Sequence, residues 1–365
     1  MIRMSELASR PAAHAGADRE AALRVLGSGR FVLGDEVAAF ESNWATACGA
    51  RWAVGVGNGM DALEISLRAM GIGRGDEVVT TAMTAFATVL AIIRAGATPV
   101  LADIESDTGL LSLASVQRCL SAKTRAILLV HLYGQVRGMD GWLRFSREHR
   151  LELVEDCAQA HLASAGGVIA GNFGRVGAYS FYPTKNLGAA GDGGAVVGSD
   201  EVIGVACREL RDYGQRSRYL HVREGLNSRL DEIQAAILNA RLEWLGEATR
   251  RRQLIAARYH AGLRNPAVAL LAPPESTPSH VQHLFVVRCT RRDALAGWLA
   301  DAGIESAIHY PVPMHLQPAL SGIRRDPQGL AVAQAHALQC LSFPCHPGLS
   351  EAEIEAVIAA VNRYH

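Results

Sequence analysis

Three short stretches combine residue types that could do chemistry. GVGNGM (Gly55–Met60) lies between an apolar run and a helical pattern, so free N–H groups and the helix dipole would converge there on an anion. The same stretch also reads as a tight βα turn with no ligand. A dinucleotide fingerprint would need glycine where Met60 stands, so GxGxxG fails at its last position. In LVEDCAQAH, Asp156 closes an apolar run, the place where open α/β sheets bind ligands. Capping the next helix is the other use for such an aspartate. In SFYPTKNLGAAGDGGAVV, Lys185 sits in a glycine-rich loop with few neighbouring charges. Partial burial would lower its pKa and leave a neutral amine able to attack a carbonyl, whereas full hydration would leave an ordinary surface charge.

These groups need elements to hold them. Trp52–Gly57, Val78–Ala82, Thr98–Ile104, Ala126–Gly134 and Leu151–Cys157 are apolar runs of strand length. Asp61–Met70 places Leu63, Leu67 and Met70 at helical spacing. Repeated alternation predicts an α/β fold with a mainly parallel sheet and helices on both faces. Ala178–Pro183 and Gly193–Gly198 come close together, as an antiparallel pair would. One long helix over Leu230–Leu263 is expected to bridge to a second unit. That unit begins with a strand at His283–Cys289 and a helix near Asp293–Ala302. A length of 365 residues suits two domains, divided here as residues 1–245 and 246–365.

Composition excludes other classes. Lys+Arg and Asp+Glu are both 36, so the chain has no global field for nucleic acid or an anionic membrane. Locally, Arg208–Arg229 carries six arginines against Glu209, Asp212 and Glu224, which predicts a basic edge. The 7 cysteines show no CxxC pair, and the only close histidines are His280 and His283, so no metal site is expected. The start lacks the apolar core of a signal peptide, and Ala82–Ile93 is too short to span a bilayer. A soluble, cytoplasmic protein is expected.

Taken together, an anion cradle, an acid for a ring nitrogen and an amine are the parts needed to bind pyridoxal 5'-phosphate. From about Gly27 onward the chain resembles the DegT/DnrJ/EryC1/StrS sugar aminotransferases, a branch of the fold-type I PLP-dependent transferases. GNGMDAL, VEDCAQAH, SFYPTKNLGAAGDGGA, GLNSRLDEIQAA and HYPVPMHLQPA occur in family order.

The resemblance implies the aspartate aminotransferase-like fold, with a large domain and a smaller C-terminal α+β domain. It also implies a homodimer whose active sites lie at the subunit interface. Lys185 would be the catalytic lysine joined to the cofactor. Asp156 would face the ring nitrogen, its pKa lowered by that cation. Gln159 would lie near the phenolic oxygen and Phe86 on the ring face, although a core position on a helix also suits Phe86. Gly59, Met60, Ser180 and the other subunit's Asn227 would hold the phosphate. Met60 stands where the family usually has Ser or Thr, so one hydroxyl is missing. His161 belongs to the same motif, either as a substrate contact or as a structural histidine.

The resemblance further implies L-glutamate as amino donor, pyridoxamine 5'-phosphate as the carrier form, and Lys185 as both base and acid. HYPVPMHLQPA is most similar to members that aminate the C3 ketone of a dTDP-linked 6-deoxyhexose. Tyr182, His309 and Tyr310 would then contact sugar and Arg229 the nucleotide phosphates. C4 amination, a UDP-linked 3-keto sugar and a non-catalytic regulatory homologue are the alternatives.

Overall fold

The computed structural model describes residues 1–6, 14 and 16–365. Helices α1 (Ala17–Ser28) and α2 (Asp35–Cys48) lead into an α/β unit. Its first half runs β1 (Trp52–Val56), α3 (Gly59–Ala69), β2 (Glu77–Thr81), α4 (Phe86–Arg94), β3 (Thr98–Ala102), α5 (Leu113–Cys119), β4 (Thr124–Val130), α6 (Met139–His149) and β5 (Glu152–Asp156). A two-stranded ribbon, β6 (Ser164–Ala165) with β7 (Val168–Ile169), precedes β8 (Val176–Ser180), β9 (Gly194–Gly198) and α7 (Glu201–Arg211). The hairpin β10 (Gln215–Ser217) and β11 (Leu220–His221) follows, then α8 (Glu232–Leu242) and α9 (Leu245–Gly262). The C-terminal unit comprises β12 (Ala269–Leu270), β13 (Phe285–Arg288), α10 (Arg292–Asp301), β14 (Arg324–Arg325), α11 (Ala331–Gln339), β15 (Cys340–Phe343) and α12 (Glu351–Asn362).

The large sheet has the order β1-β9-β8-β5-β4-β2-β3-β14. Only β9 runs antiparallel to its neighbours; the other pairings are parallel. Its strands are apolar on both faces because helices cover both. Along β4, Ala126, Leu128 and Val130 enter one buried cluster, whereas Ile127 and Leu129 enter the other. Five parallel strands end at one edge, which brings residues 57–59, 82–86, 131–134, 156–159 and 180–185 together.

Two departures from the expected elements bear on the site. The long helix is broken at residues 243–244, because α8 buries Ala235 and Leu238 in the large unit while α9 buries Ile255 and Tyr259 in the small one. One straight rod cannot serve both cores. The strand expected to reach Gly134 stops at Val130, and Tyr133 turns into the left-handed region at φ 63°. Two segments also cross the expected division at 245/246. Ile2 pairs with Ile304, and β14 adds to the edge of the large sheet beside β3. No helix among the described residues is long and apolar enough to cross a membrane.

Candidate active site

The cradle is built at the start of α3. Asn58 caps this helix, its side-chain oxygen accepting from Asp61 N at 2.9 Å. The N–H groups of Gly59 and Met60 lie in the first turn, where α-helical donors have no intrahelical partner. A Cβ on Gly59 would lie 2.5 Å from Ser180 Cβ, so glycine alone lets the turn close against the end of β8. Ser228 braces this turn. Its Oγ accepts from Gly57 N at 3.0 Å and donates to Asp61 Oδ2 at 2.7 Å.

The acid stands one strand end away. Asp156, 6% exposed, closes β5. Its Oδ1 accepts from Ala158 N at 3.1 Å, and its Oδ2 accepts from the Thr88 hydroxyl at 2.9 Å. Thr88 has only one proton to give, so it accepts in turn from Thr84 Oγ1 at 2.8 Å. The bond to Ala158 is a local turn, so the carboxylate both shapes its own loop and faces the site.

The amine follows β8. Lys185 N bonds to Tyr182 O at 2.8 Å, and Gly188 allows the loop to pass tightly over Pro183. Gln159, also buried, accepts from Tyr133 N at 2.6 Å through Oε1, and its Nε2 donates to Tyr310 OH at 3.2 Å. The backbone donor fixes which way this amide points, and one N–H of Nε2 stays available to an acceptor in the site.

Residues 13–362 match the DegT/DnrJ/EryC1/StrS aminotransferase family. The chain is 44% identical over 351 residues to dTDP-3-amino-3,4,6-trideoxy-alpha-D-glucose transaminase from Streptomyces venezuelae, covering 95% of this chain and 92% of that one. It is 42% identical to dTDP-3-amino-3,6-dideoxy-alpha-D-galactopyranose transaminase from Aneurinibacillus thermoaerophilus, covering 95% and 94%. The crystal structure of S. venezuelae DesV in complex with ketimine intermediate superposes with a TM-score of 0.94 at 43% identity, covering 99% and 97%. The chain belongs to the DegT/DnrJ/EryC1/StrS aminotransferase family. It is a PLP-dependent sugar aminotransferase.

The residues present in this aminotransferase fit pyridoxal phosphate. The glycine-lined cradle leaves backbone donors for the phosphate, and the amine and the carboxylate sense one another's charge. Burial drives the Lys185 amine down to about 8, against the opposing pull of Asp156. Among the protein's own groups, burial raises the Asp156 carboxyl above its ordinary value; the depression expected from a ring cation would act against this rise. Desolvation outweighs the two hydrogen bonds, and the charges of Lys185 and His131 are smaller influences still.

Other sequence expectations find their places. Phe86 opens α4, half-buried against the core, on the same helix as Thr88. His309 and Tyr310 are partly buried, and His309 Nδ1 faces Ser342 Oγ at 2.9 Å. Burial takes His309 down to about 4, with the Lys185 charge adding to the effect, so its ring is neutral near pH 7. Tyr182 is exposed. Asn227 is exposed beside the inward-facing Ser228, and Arg229 donates to Asp212 at 3.0 Å.

His161 does not suit a substrate contact. It is wholly buried among Trp44, Tyr179 and Phe181, with Nε2 against Ser180 O at 3.0 Å. Burial lowers its pKa to about 3, so the neutral ring donates to that carbonyl from behind the cradle. The basic edge is largely neutralised as well. Glu209 accepts from Arg216 at 2.8 Å and Arg223 at 2.6 Å, Asp212 takes Arg229, and Arg211 pairs with Glu41.

Thr88, Ser228, Tyr133 and Glu155 also shape the site, although no motif in the sequence marks them. The Glu155 carboxylate accepts from Gly171, Phe173 and Gly174 N–H groups at 2.7–2.8 Å and meets His131 Nε2 at 2.8 Å. With Cys157, these two bring ligand-type atoms within 4.8 Å of one another. Glu155 spends both oxygens on holding the loop behind Asp156. His280 and His283 are engaged separately: Gln282 N donates to His280 Nδ1, and His283 Nδ1 faces Asn186 Oδ1, both at 3.0 Å.

Proposed function

We propose that this enzyme moves an amino group from L-glutamate to the C3 ketone of a dTDP-linked 3-keto-6-deoxyhexose, giving a dTDP-3-amino-3,6-dideoxyhexose. The observation that carries the reading is a lysine amine lowered to about 8 beside a buried carboxylate, in a chain 42–44% identical to two relatives named as dTDP-3-amino-sugar transaminases.

When bound, pyridoxal phosphate supplies an electron sink that stabilises negative charge at the carbon losing its proton. Lys185, neutral in part near pH 7, would take the proton from the donor's α-carbon as general base and return it as general acid to the cofactor carbon across the imine nitrogen. Asp156, with Thr88 and Ala158 fixing both carboxylate oxygens, would hold the ring nitrogen. Gln159 offers its remaining N–H to the phenolic oxygen. Gly59, Met60 and Ser180 would take the phosphate, and Phe86 would cover the ring face. Tyr182, His309 and Tyr310 contact the acceptor sugar, and Arg229 the nucleotide phosphates. Amino donor and acceptor use one site in turn, so ping-pong kinetics follow.

The working unit is a homodimer in which Asn227 crosses to the partner's phosphate cradle. Exposed Tyr213, Tyr219, Leu220 and Val222 around the β10–β11 hairpin support this part of the reading, since they leave apolar surface for a second copy.

The test of the chemistry is direct. Borohydride treatment of the holoenzyme should abolish its visible absorbance and leave a pyridoxyl label on the peptide containing Lys185. A label on any other lysine, or none, would overturn the assignment.

A further inference from the structure

We propose that Tyr133, braced by His336, is a positioning residue that sets both Gln159 and the His309–Tyr310 segment for the reaction. Tyr133 touches the two sides of the site with different atoms. Its backbone N–H donates to Gln159 Oε1 at 2.6 Å, and its hydroxyl donates to His309 O at 2.7 Å. Gln159 then meets Tyr310 OH at 3.2 Å, so a closed ring of contacts runs from Tyr133 through Gln159 and Tyr310 back to His309. This ring joins the end of β4, the loop after β5 and the chain leading from α10.

The local backbone serves that geometry. Tyr133 is 1% exposed and adopts φ 63°, a conformation that a bulky residue holds only when its surroundings demand it. Gly134 follows at φ 98°, and a Cβ there would lie 2.6 Å from Gln159 O. The turn is thus pressed against the strand loop that carries Gln159.

His336 completes the arrangement from α11. Its Nε2 lies 2.9 Å from Tyr133 OH, and its ring stacks on the tyrosine with an interplanar angle of 21°. The hydroxyl has one proton, which goes to the His309 carbonyl; otherwise two acceptor oxygens would face each other at 2.7 Å. His336 must therefore donate from Nε2. Its Nδ1 is an unprotonated acceptor with no partner, consistent with a neutral ring whose pKa burial lowers to about 4. Gly109 makes room for it, since a Cβ there would stand 3.0 Å from His336 Cε1.

Both residues spend their polar contacts on Gln159, His309 and one another, so they act through the groups they hold. The kinetic part of the test rests on the proposed acceptor contacts of His309 and Tyr310, whereas the exchange part does not. Holoenzymes of the wild type, Tyr133→Phe, His336→Leu and His336→Gln would be compared. Gln places a donor nitrogen at the reach of Nε2, and Leu does not.

In Tyr133→Phe and His336→Leu, amide hydrogen exchange over residues 308–312 should quicken about tenfold, with the rest of the chain unchanged. The KM for the keto-sugar should rise about tenfold, while the glutamate half-reaction stays within twofold, because the backbone N–H that holds Gln159 survives in each variant. His336→Gln should restore both. Unaltered exchange in Tyr133→Phe, acceleration spread evenly over the chain, or a His336→Gln variant that behaves like His336→Leu would each overturn the proposal. A wild type inert toward every nucleotide keto-sugar would count against the proposed substrate, and the exchange measurement would still decide the positioning role.

Discussion

Thr88 and Asp156 meet across 2.9 Å, the hydroxyl of α4 donating to the carboxylate that closes β5. This bond and the Ala158 N–H oppose the desolvation that pushes the Asp156 carboxyl upward. Thr88→Val keeps the shape and deletes the donor. Asp156 should then protonate more readily, and the acid limb of the glutamate half-reaction should move to higher pH. The rate near pH 7 should fall about tenfold, and Thr88→Ser should recover it. Pre-steady-state absorbance across pH 5–9 reads both effects.

Lys185 makes a second prediction in pH. With its amine at about 8 instead of an ordinary 10.5, about a tenth of it is neutral at pH 7. Capture of added pyridoxal phosphate by apoenzyme should quicken about tenfold per pH unit up to roughly pH 8 and then level off. A rise continuing to pH 10 would contradict the lowered value. Stability follows the same sign. A folded pKa below the unfolded one contributes stability above about 10.5, which is lost as pH falls through about 8. Lys185→Met apoenzyme should therefore gain in Tm over its parent at pH 7 and lose that advantage near pH 11.

Gly59 bears on the cradle. Gly59→Ala would drive a Cβ to 2.5 Å from Ser180 Cβ and 3.1 Å from its Cα. The turn must open, at a cost of about 1–3 kcal/mol. Thermal unfolding should register that loss, and equilibrium dialysis should show cofactor affinity weakened at least tenfold. Ser228→Ala should weaken affinity in the same direction through the loss of the Gly57 and Asp61 contacts.

The proposed crossing of Asn227 into a partner's site has a test by mixing. Lys185→Ala and Asn227→Ala homodimers should each be nearly inactive. Unfolded and refolded together in equal amounts, they should regain about a quarter of the wild-type activity, because half the dimers are mixed and one site in each is intact. No recovery would place Asn227 in its own subunit's site.

His161 separates support from substrate contact. Its neutral ring bonds to Ser180 O from within the aromatic cluster. His161→Phe should lower cofactor retention several-fold and leave the KM for the acceptor sugar within twofold. A selective rise in that KM would restore the substrate role.

Much of the scaffold was legible because it depends on local pattern. The runs at Val78–Ala82 and Leu151–Cys157 are apolar enough to be buried on both faces, and they form β2 and β5. Lys185, Asp156 and Gly59 were legible because each has the right chemistry at the end of an element. Thr88 and Tyr133 were not, since a threonine inside a helix and a tyrosine after a strand carry no spacing signal. Their roles arise only when the sheet order places β5 beside β4 and β2 two strands away. His161 stayed open between two uses for a related reason. Its motif lies in the site's loop, but its side chain turns into the cluster around Trp44. The arginines of residues 208–229 counted as free charge in sequence, yet Glu209 and Asp212 fold back onto three of them.

Which carbon receives nitrogen is decided by product analysis. Holoenzyme would be incubated with L-glutamate and, separately, with dTDP-linked 3-keto and 4-keto 6-deoxyhexoses and a UDP-linked 3-keto sugar, and the products read by mass spectrometry. Stoichiometric 2-oxoglutarate and an amino sugar should form from the dTDP-linked 3-keto compound, well ahead of the others. Turnover of the 4-keto sugar alone, or of the UDP-linked sugar alone, would overturn the C3, dTDP-linked assignment.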